Sequence, residues 1–490
     1  MNHLTIFDEL YPKFKITKPI RLIEFFAGYG SQALALKYLG VEFEHWKICE
    51  WAVKSIQAYK DIHFTDDNTD YSQPFEIDTL KRFLYNKGIS SNYNEPMTKE
   101  QINRLSEQQI RTICNNITAT HNLVNIQQVK GRDLRIEDKE DYCYILTYSF
   151  PCQDLSLAGK GKGMSDTSTR SGMLWEVERI LKELKETDSL PQVLLMENVP
   201  QVHSIDNTPD FNKWQIELTK LGYKNYWEDL IATDYGIPQT RNRCFMVSIL
   251  GDYNYSFPKP IPLEKKLKDM LEDNVDEKYF LSDSMIKYIS ADNEKWTGNN
   301  NEALINKTYA STLNTNEGSR RCDASNYISN DVGDNYNLKI KNATKKGYLE
   351  ATDGDGVDIS SRMEHHRGIV QKDKAQTLTT QCDGGVVVKP KVIGGIGEKD
   401  SNNNAQWKQQ NRVYDNNVSI AVTTCFNPNY LDNNLRIRKL TPKECFRLMG
   451  VKDDDFEKVK VNQSDSSLYH LAGDSIVVNV LMAIFKEMIK

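Results

Sequence analysis

Arg21-Leu22-Ile23-Glu24-Phe25-Phe26-Ala27-Gly28-Tyr29-Gly30-Ser31 is an apolar run that ends in two closely spaced glycines. It predicts a buried strand, a Gly-x-Gly turn and then a helix over Gln32 to Leu39. Glycine lets a backbone approach a ligand closely at the carboxyl end of a strand, which is where open α/β sheets bind cofactors. Twenty residues after Gly30 comes Cys49-Glu50-Trp51, and an acidic group at that strand end can accept hydrogen bonds from ribose hydroxyls. By itself each feature has an ordinary structural explanation, a tight turn and an exposed carboxylate. Four further apolar runs, Trp46 to Glu50, Tyr144 to Ser149, Val193 to Met196 and Cys244 to Ile249, alternate with helical patterns. That alternation predicts an α/β domain with a mainly parallel sheet.

The chain has 490 residues, 39% of them hydrophobic, enough for more than one core. With 62 Lys+Arg against 68 Asp+Glu the net charge is −6, so any nucleic-acid surface must come from local basic patches. Nine cysteines without a Cys-x-x-Cys pair argue against a disulfide framework or structural zinc and fit a reducing cytoplasm. No uncharged apolar run reaches the roughly 18 residues that a membrane span needs. Residues 66–131 form a polar insert in which Thr98-x-x-Gln101 predicts a capping box opening one helix with apolar Ile102, Leu105, Ile110 and Ile113. From about Asp252 the texture changes to Pro258-Lys259-Pro260-Ile261-Pro262 and Asn/Asp-rich stretches. Short β-branched segments around Tyr309 to Leu313, Ala375 to Thr380 and Ser419 to Thr424 predict a mostly β region. After about Arg436 helical patterning returns, with Thr441-Pro442-Lys443-Glu444 as a helix start. The layout expected is therefore residues 1–251, an inserted domain over 252–435, and a return to the first domain over 436–490.

The chemistry centres on Pro151-Cys152-Gln153, which follows the apolar strand at Tyr144 to Phe150. Proline directs the chain out of the sheet, so the thiol falls on a loop rather than in the core. A lone cysteine is more often a small buried hydrophobe, and its neighbours decide the matter. Gly159, Gly161 and Gly163 interleave with Lys160 and Lys162, giving a flexible, cationic loop suited to a phosphate backbone. Glu197-Asn198 follows the strand at Val193 to Met196, and carboxyl ends of parallel strands share one edge. Arg241 and Arg243 alternate before the strand at Cys244, so both are expected on one side of an extended chain, within reach of a phosphate or base.

Together these segments resemble the cytosine-carbon-5 DNA methyltransferase family, whose motifs occur here in the same order along nearly the whole chain. Phe26-Ala27-Gly28-Tyr29-Gly30 looks like its cofactor motif, Glu50-Trp51 like the ribose motif, and Asp133 like the acidic residue near the adenine. Pro151-Cys152-Gln153 is similar to the nucleophile motif, Glu197-Asn198-Val199 to the motif that holds the cytosine, and Gln239-Thr240-Arg241-Asn242-Arg243 to the Gln-x-Arg-x-Arg motif. Leu174 resembles a leucine that borders the cofactor; Arg438 to Gly450 and Gly473-Asp474-Ser475 resemble the last motifs. Ser31 stands where many relatives have glycine, and Asp474 where asparagine is common.

The resemblance implies a Rossmann-like S-adenosylmethionine-dependent methyltransferase domain with a mixed, mostly parallel sheet, plus an inserted mostly β target recognition domain. It implies Cys152, Glu197, Arg241 and Arg243 as catalytic, and Phe26, Ala27, Gly28, Gly30, Glu50, Trp51, Asp133, Pro151, Leu174, Asp474 and Ser475 at the cofactor. Expected DNA contacts are Gln153, Ser156, Lys160, Lys162, Gln239, Thr312, Thr377, Thr379 and Thr423. The cofactor expected is S-adenosylmethionine, leaving S-adenosylhomocysteine, without a metal. Double-stranded DNA is the expected partner of a cytoplasmic monomer; a cognate restriction endonuclease acting separately is compatible with this. An RNA-directed enzyme of the same fold and an inactive DNA-binding relic are the alternatives. An exocyclic-amine methyltransferase would need an Asn/Asp-Pro-Pro-aromatic motif, and Asn427-Pro428-Asn429-Tyr430 departs from it at the third residue.

Overall fold

A computed structural model describes residues 12–151, 171–279, 308–309, 327–328, 338–342, 344–352, 354–358, 369–375, 384–388, 392–395, 412–414 and 436–489. The chain divides into two compact units. One comprises Met1–Ile237, Arg241–Glu264 and Phe446–Lys490, the other Pro238–Thr240 and Lys265–Cys445.

The first unit is built on six strands: β1 (Ile20–Phe25), β2 (Phe43–Cys49), β3 (Cys143–Tyr148), β4 (Val193–Asn198), β5 (Tyr223–Ile231) and β6 (Asn242–Leu250). Their order is β2-β1-β3-β4-β6-β5. β1 pairs in parallel with β2 and β3, and β3 with β4, whereas β6 is antiparallel to both β4 and β5. The sheet is thus mixed and mostly parallel, as expected. β1, β3 and β4 are buried along their whole length because helices cover both faces, which is why they read as continuous apolar runs. β5, in contrast, is an edge strand of sequence YKNYWEDLI with mainly half-exposed residues, and the apolar-run criterion passes over it.

Helices of this unit are α1 (Ser31–Tyr38), α2 (Val53–His63), α3 (Ile77–Lys87), α4 (Lys99–Asn103), α5 (Glu107–Ala119), α6 (Leu174–Glu186), α7 (Thr208–Leu221), α8 (Pro442–Leu448, whose last residues from Phe446 belong here), α9 (Asp453–Lys460), α10 (Asp465–Asp474) and α11 (Val478–Met488). The polar insert is α3 to α5. The single helix expected after Thr98 is two helices, each with its own capping box: Thr98 with Gln101, then Ser106 with Gln109. The second box captures the backbone donors at Ser106 and Gln109 and so restarts the helix after Arg104. Leu80, Leu84, Ile102, Ile110, Ile113 and Ile117 form one buried cluster that includes Ile56 of α2, with Trp51 packed against it. Apolar residues thus sit under a polar surface, and the insert shares a core with α2.

Asp465–Met488 is long and apolar enough by composition to cross a membrane. It folds as α10 and α11, broken between Asp474 and Val478, with Leu468, Leu471, Leu481, Ile484 and Phe485 buried; α11 packs on α1.

In the second unit, Gly356–Asp358, Val370–Gln371, Gly384–Val388 and Arg436–Lys439 form an antiparallel four-stranded sheet, and Leu338–Lys341 pairs with Tyr348–Ala351. Arg436–Lys439, expected to begin the return to the first domain, is the last strand of this sheet. Thr441 and Glu444 cap α8 reciprocally, each backbone N–H donating to the other's side chain at 2.7 and 3.2 Å.

The Gly30 turn has a measurable steric requirement. Gly30 has φ +82°, and a Cβ there would lie 2.4 Å from His63 Nε2 and 2.6 Å from Tyr59 Cε2. Gly30→Ala combines a left-handed backbone with overpacking and should destabilise the fold by about 2–4 kcal/mol, read from urea unfolding.

Candidate active site

At the carboxyl edge of the sheet the β1–α1 turn meets the end of β2. Phe26 and Gly28 have φ +57° and +55°. Phe26 N–H donates to Cys49 O at 2.8 Å, and Gly28 N–H donates to Glu50 Oε2 at 3.0 Å. Glu50 Oε1 accepts from Ala52 N–H at 2.8 Å, so one carboxylate ties the turn to the start of α2. Glu50 is buried, and burial raises its pKa to about 7 against the backbone donors, which lower it. A Cβ on Gly28 would meet only Ser475 Oγ, at 3.8 Å, so the backbone there is open to a ligand. Ala27, Leu174 and Ser475 are buried, Phe26, Trp51 and Pro151 partly so, and Asp474 is exposed. An open glycine backbone, a buried carboxylate acceptor and a half-buried aromatic beside it suit a nucleoside cofactor.

Asp133, expected near the adenine, caps a turn. Its Oδ2 accepts from Lys130 N–H at 2.9 Å, capping the 3-10 turn Gly131–Leu134. It lines a cavity of about 700 Å³ with Lys47, Lys87, Arg132 and Arg135. No hydrogen bond among the described residues joins it to Glu50 or Gly28. The residue that sequence reasoning missed is Asn122. It bridges β2 at Ile48, and its Oδ1 accepts from Glu50 N–H (3.1 Å) while its Nδ2 donates to Glu50 O (2.9 Å). An asparagine inside an insert carries no motif that marks it as the clamp on this acid.

A second group gathers at the end of β4. In the parallel register Tyr148 of β3 lies opposite Met196 of β4, so Glu197 and the exit toward Pro151 leave the sheet side by side. Asn198 Nδ2 donates to Phe150 O at 3.0 Å and holds that exit in place. Glu197 is 7% exposed, and Arg243 Nε lies 3.2 Å from its Oε1. Burial raises the Glu197 pKa, and the charges of Arg243 and Arg241 offset this only in part. The sheet edge therefore brings a buried carboxyl, its pKa raised, close to the segment that leads to Pro151.

Arg241 and Arg243 do not act as a pair facing outward. Arg241 is 4% exposed, and its Nη2 donates to Gly473 O at 3.0 Å and Ser475 O at 2.6 Å. Burial and then the Arg243 charge push its pKa down to about 9. The expectation that it reaches a phosphate is corrected: it fixes the Gly473–Ser475 bend, because carbonyls freed at the α10–α11 break need donors. Gln239, expected at DNA, is fully buried, with its backbone bridged to Ala375. Cys152, Gln153, Ser156, Lys160, Lys162, Thr312, Thr377, Thr379 and Thr423 lie outside the described residues.

A mixed six-stranded sheet with a glycine turn and two buried carboxylates along one edge defines a Rossmann-like α/β unit suited to a nucleoside cofactor. Residues 101–490 match the family described as C-5 cytosine-specific DNA methylase. The chain is 27% identical over 474 residues to the type II methyltransferase M2.ScrFI of Lactococcus lactis subsp. cremoris, covering 96% of this chain and 99% of that protein. It is 36% identical over 299 residues to the orphan methyltransferase M.SssI of Spiroplasma monobiae (59% and 74%). To the type II methyltransferase M.HhaI of Haemophilus parahaemolyticus it is 29% identical over 343 residues (69% and 74%). The chain belongs to the C-5 cytosine-specific DNA methylase family. It is a DNA cytosine-5 methyltransferase, and family and fold together imply S-adenosylmethionine as methyl donor.

Proposed function

We propose that the chain methylates a cytosine flipped out of a specific double-stranded sequence, through a covalent adduct between Cys152 and carbon 6. The observation that supports this most directly is the juxtaposition of Glu197, paired with Arg243, and the Phe150 carbonyl held by Asn198, two residues before Cys152. Carbon 5 of cytosine is a weak nucleophile. Addition of the Cys152 thiolate to carbon 6 moves the electrons of the 5,6 double bond onto carbon 5 and the ring. Ring nitrogen 3 is an acceptor, so a neutral carboxyl suits it: Glu197 donates its proton there and accepts from the exocyclic amine. Its raised pKa favours that form, and Arg243 orients the group.

S-adenosylmethionine supplies an electrophilic methyl group. Phe26, Ala27, Gly28, Gly30, Glu50, Trp51, Leu174, Asp474 and Ser475 would hold it, with Arg241 fixing the bend that carries the last two. Once carbon 5 bears the methyl, a base takes its proton, the electron pair restores the 5,6 double bond, and Sγ leaves. Flipping costs a few kcal/mol of unstacking. The cationic loop after Cys152 and the domain over 252–435 are assigned to holding the base out and reading its neighbours. A sizeable inserted domain favours DNA over RNA, since groove reading needs such a surface. Bisulfite sequencing of DNA from cells expressing the chain should show conversion-resistant cytosines within one short sequence; resistance confined to RNA, or absent, would overturn the reading.

A further inference from the structure

The insert over residues 66–131 reaches the sheet edge that carries Glu50. Its backbone pairs with the residues just after Glu50: Ser90 N–H donates to Trp51 O at 2.8 Å, and Val53 N–H donates to Ser90 O at 2.9 Å. Met97 N–H then donates to Ile89 O at 2.7 Å, closing a loop between α3 and α4. Inside it Asn92 Oδ1 accepts from the backbone N–H of Asn94 (3.0 Å) and Glu95 (3.2 Å). Ser90 Oγ donates to Glu95 O at 2.8 Å. Tyr93 sits within this turn at φ +63°, a conformation that an aromatic residue adopts only when its surroundings impose it.

The Tyr93 ring lies flat on His470, with centroids 3.9 Å apart and planes 17° from parallel. His470 Nδ1 is 3.0 Å from Asp474 Oδ2. Asp474 acts electrostatically on Glu50, and the next residue, Ser475, is the side chain facing Gly28. Asp474 is half exposed at the end of α10, and without this contact its carboxylate would sample several rotamers.

We propose that the insert is a working part of the cofactor site: Tyr93 is a positioning residue that holds His470, and through it the Asp474 carboxylate, at the edge formed by Gly28 and Glu50. The inference rests on the assignment of Glu50 and Asp474 to the cofactor. An oriented carboxylate suits a ligand carrying a sulfonium and an ammonium group. A stacked aromatic ring fixes its partner at little conformational cost, because tyrosine has few rotamers to lose.

The test is S-adenosylmethionine binding to the full-length chain, measured by calorimetry, with thermal unfolding alongside. Tyr93→Ala and His470→Ala should each weaken binding about five- to twentyfold, the range a lost aromatic or ionic contact of this kind gives. Tyr93→Phe keeps the ring and should stay within about twofold of the parent. If Tyr93 acts through His470, the double alanine variant is about as weak as the weaker single one, not the product of both. A folded Tyr93→Ala protein with reduced Tm and unaltered affinity would make Tyr93 merely structural and overturn the inference. Should that variant not fold, His470→Ala decides alone: weaker binding supports the proposal, unaltered binding overturns it. Glu50→Gln and Asp474→Ala separate the two levels. If they also leave binding unaltered, the cofactor assignment itself falls; if they weaken it while the Tyr93 and His470 variants do not, only the role of the insert falls.

Discussion

Cys152→Ser should lower methyl transfer to DNA by at least about a thousandfold, roughly 4 kcal/mol of transition-state stabilisation, while S-adenosylmethionine binding stays near the parent value. A thiol with an ordinary pKa near 8.5 provides a small but useful thiolate fraction at neutral pH, whereas a serine hydroxyl provides essentially none. Without addition at carbon 6, carbon 5 keeps its aromatic character and does not attack the methyl. The cofactor contacts assigned to Gly28 and Glu50 come from the ends of β1 and β2, not from the loop after Pro151, so binding is a fair control. Single-turnover transfer of labelled methyl groups is the measurement. Turnover by the serine variant within tenfold of the parent would remove Cys152 from the mechanism.

The second large effect is expected at Glu197. Glu197→Ala would remove both hydrogen bonds proposed to the flipped base and leave Arg243 without its carboxylate partner; kcat should fall about 100- to 1000-fold, as on deleting a group that stabilises developing charge. Glu197→Gln should fall less. An amide can still donate to ring nitrogen 3 and accept from the exocyclic amine, but it cannot pass a proton. The pH profile distinguishes the roles. Burial raises the Glu197 pKa, so its protonated form persists to higher pH than that of an ordinary carboxyl and is lost as pH rises through the raised value, giving a falling limb. The thiol limb runs the other way, since thiolate increases with pH. The glutamine variant should therefore keep the rising limb and lack the falling one. A falling limb that survives unshifted in Glu197→Gln would assign it to another group.

Much of the site is local in character and was readable from residues close together in sequence. Phe26 to Gly30, Glu50 and the Glu197-Asn198 pair each follow an apolar run directly, and parallel strands bring their carboxyl ends to one edge. What failed did so for identifiable reasons. Alternation suggested that Arg241 and Arg243 point the same way. Arg241, however, precedes β6, and the carbonyls of Gly473 and Ser475, more than two hundred positions away, draw it inward. Gln239 looked like a polar loop residue, but strand-like pairing with Ala375 buries it.

Neighbouring residues in the chain carry the central strands of the first unit and its reaction class. Buried strands in a covered sheet must be apolar throughout, and glycine turns and strand-end carboxylates advertise a cofactor edge within a few residues. Which polar groups serve one another is a matter of long-range packing: Asn122 clamps Glu50, Arg241 holds the Gly473–Ser475 bend, and Tyr93 lies on His470. Those partners lie far apart along the chain and have ordinary local contexts. A hydrogen bond or ring stack between them becomes strong only after the intervening core has packed and excluded water, and no pattern of neighbouring residues records that event.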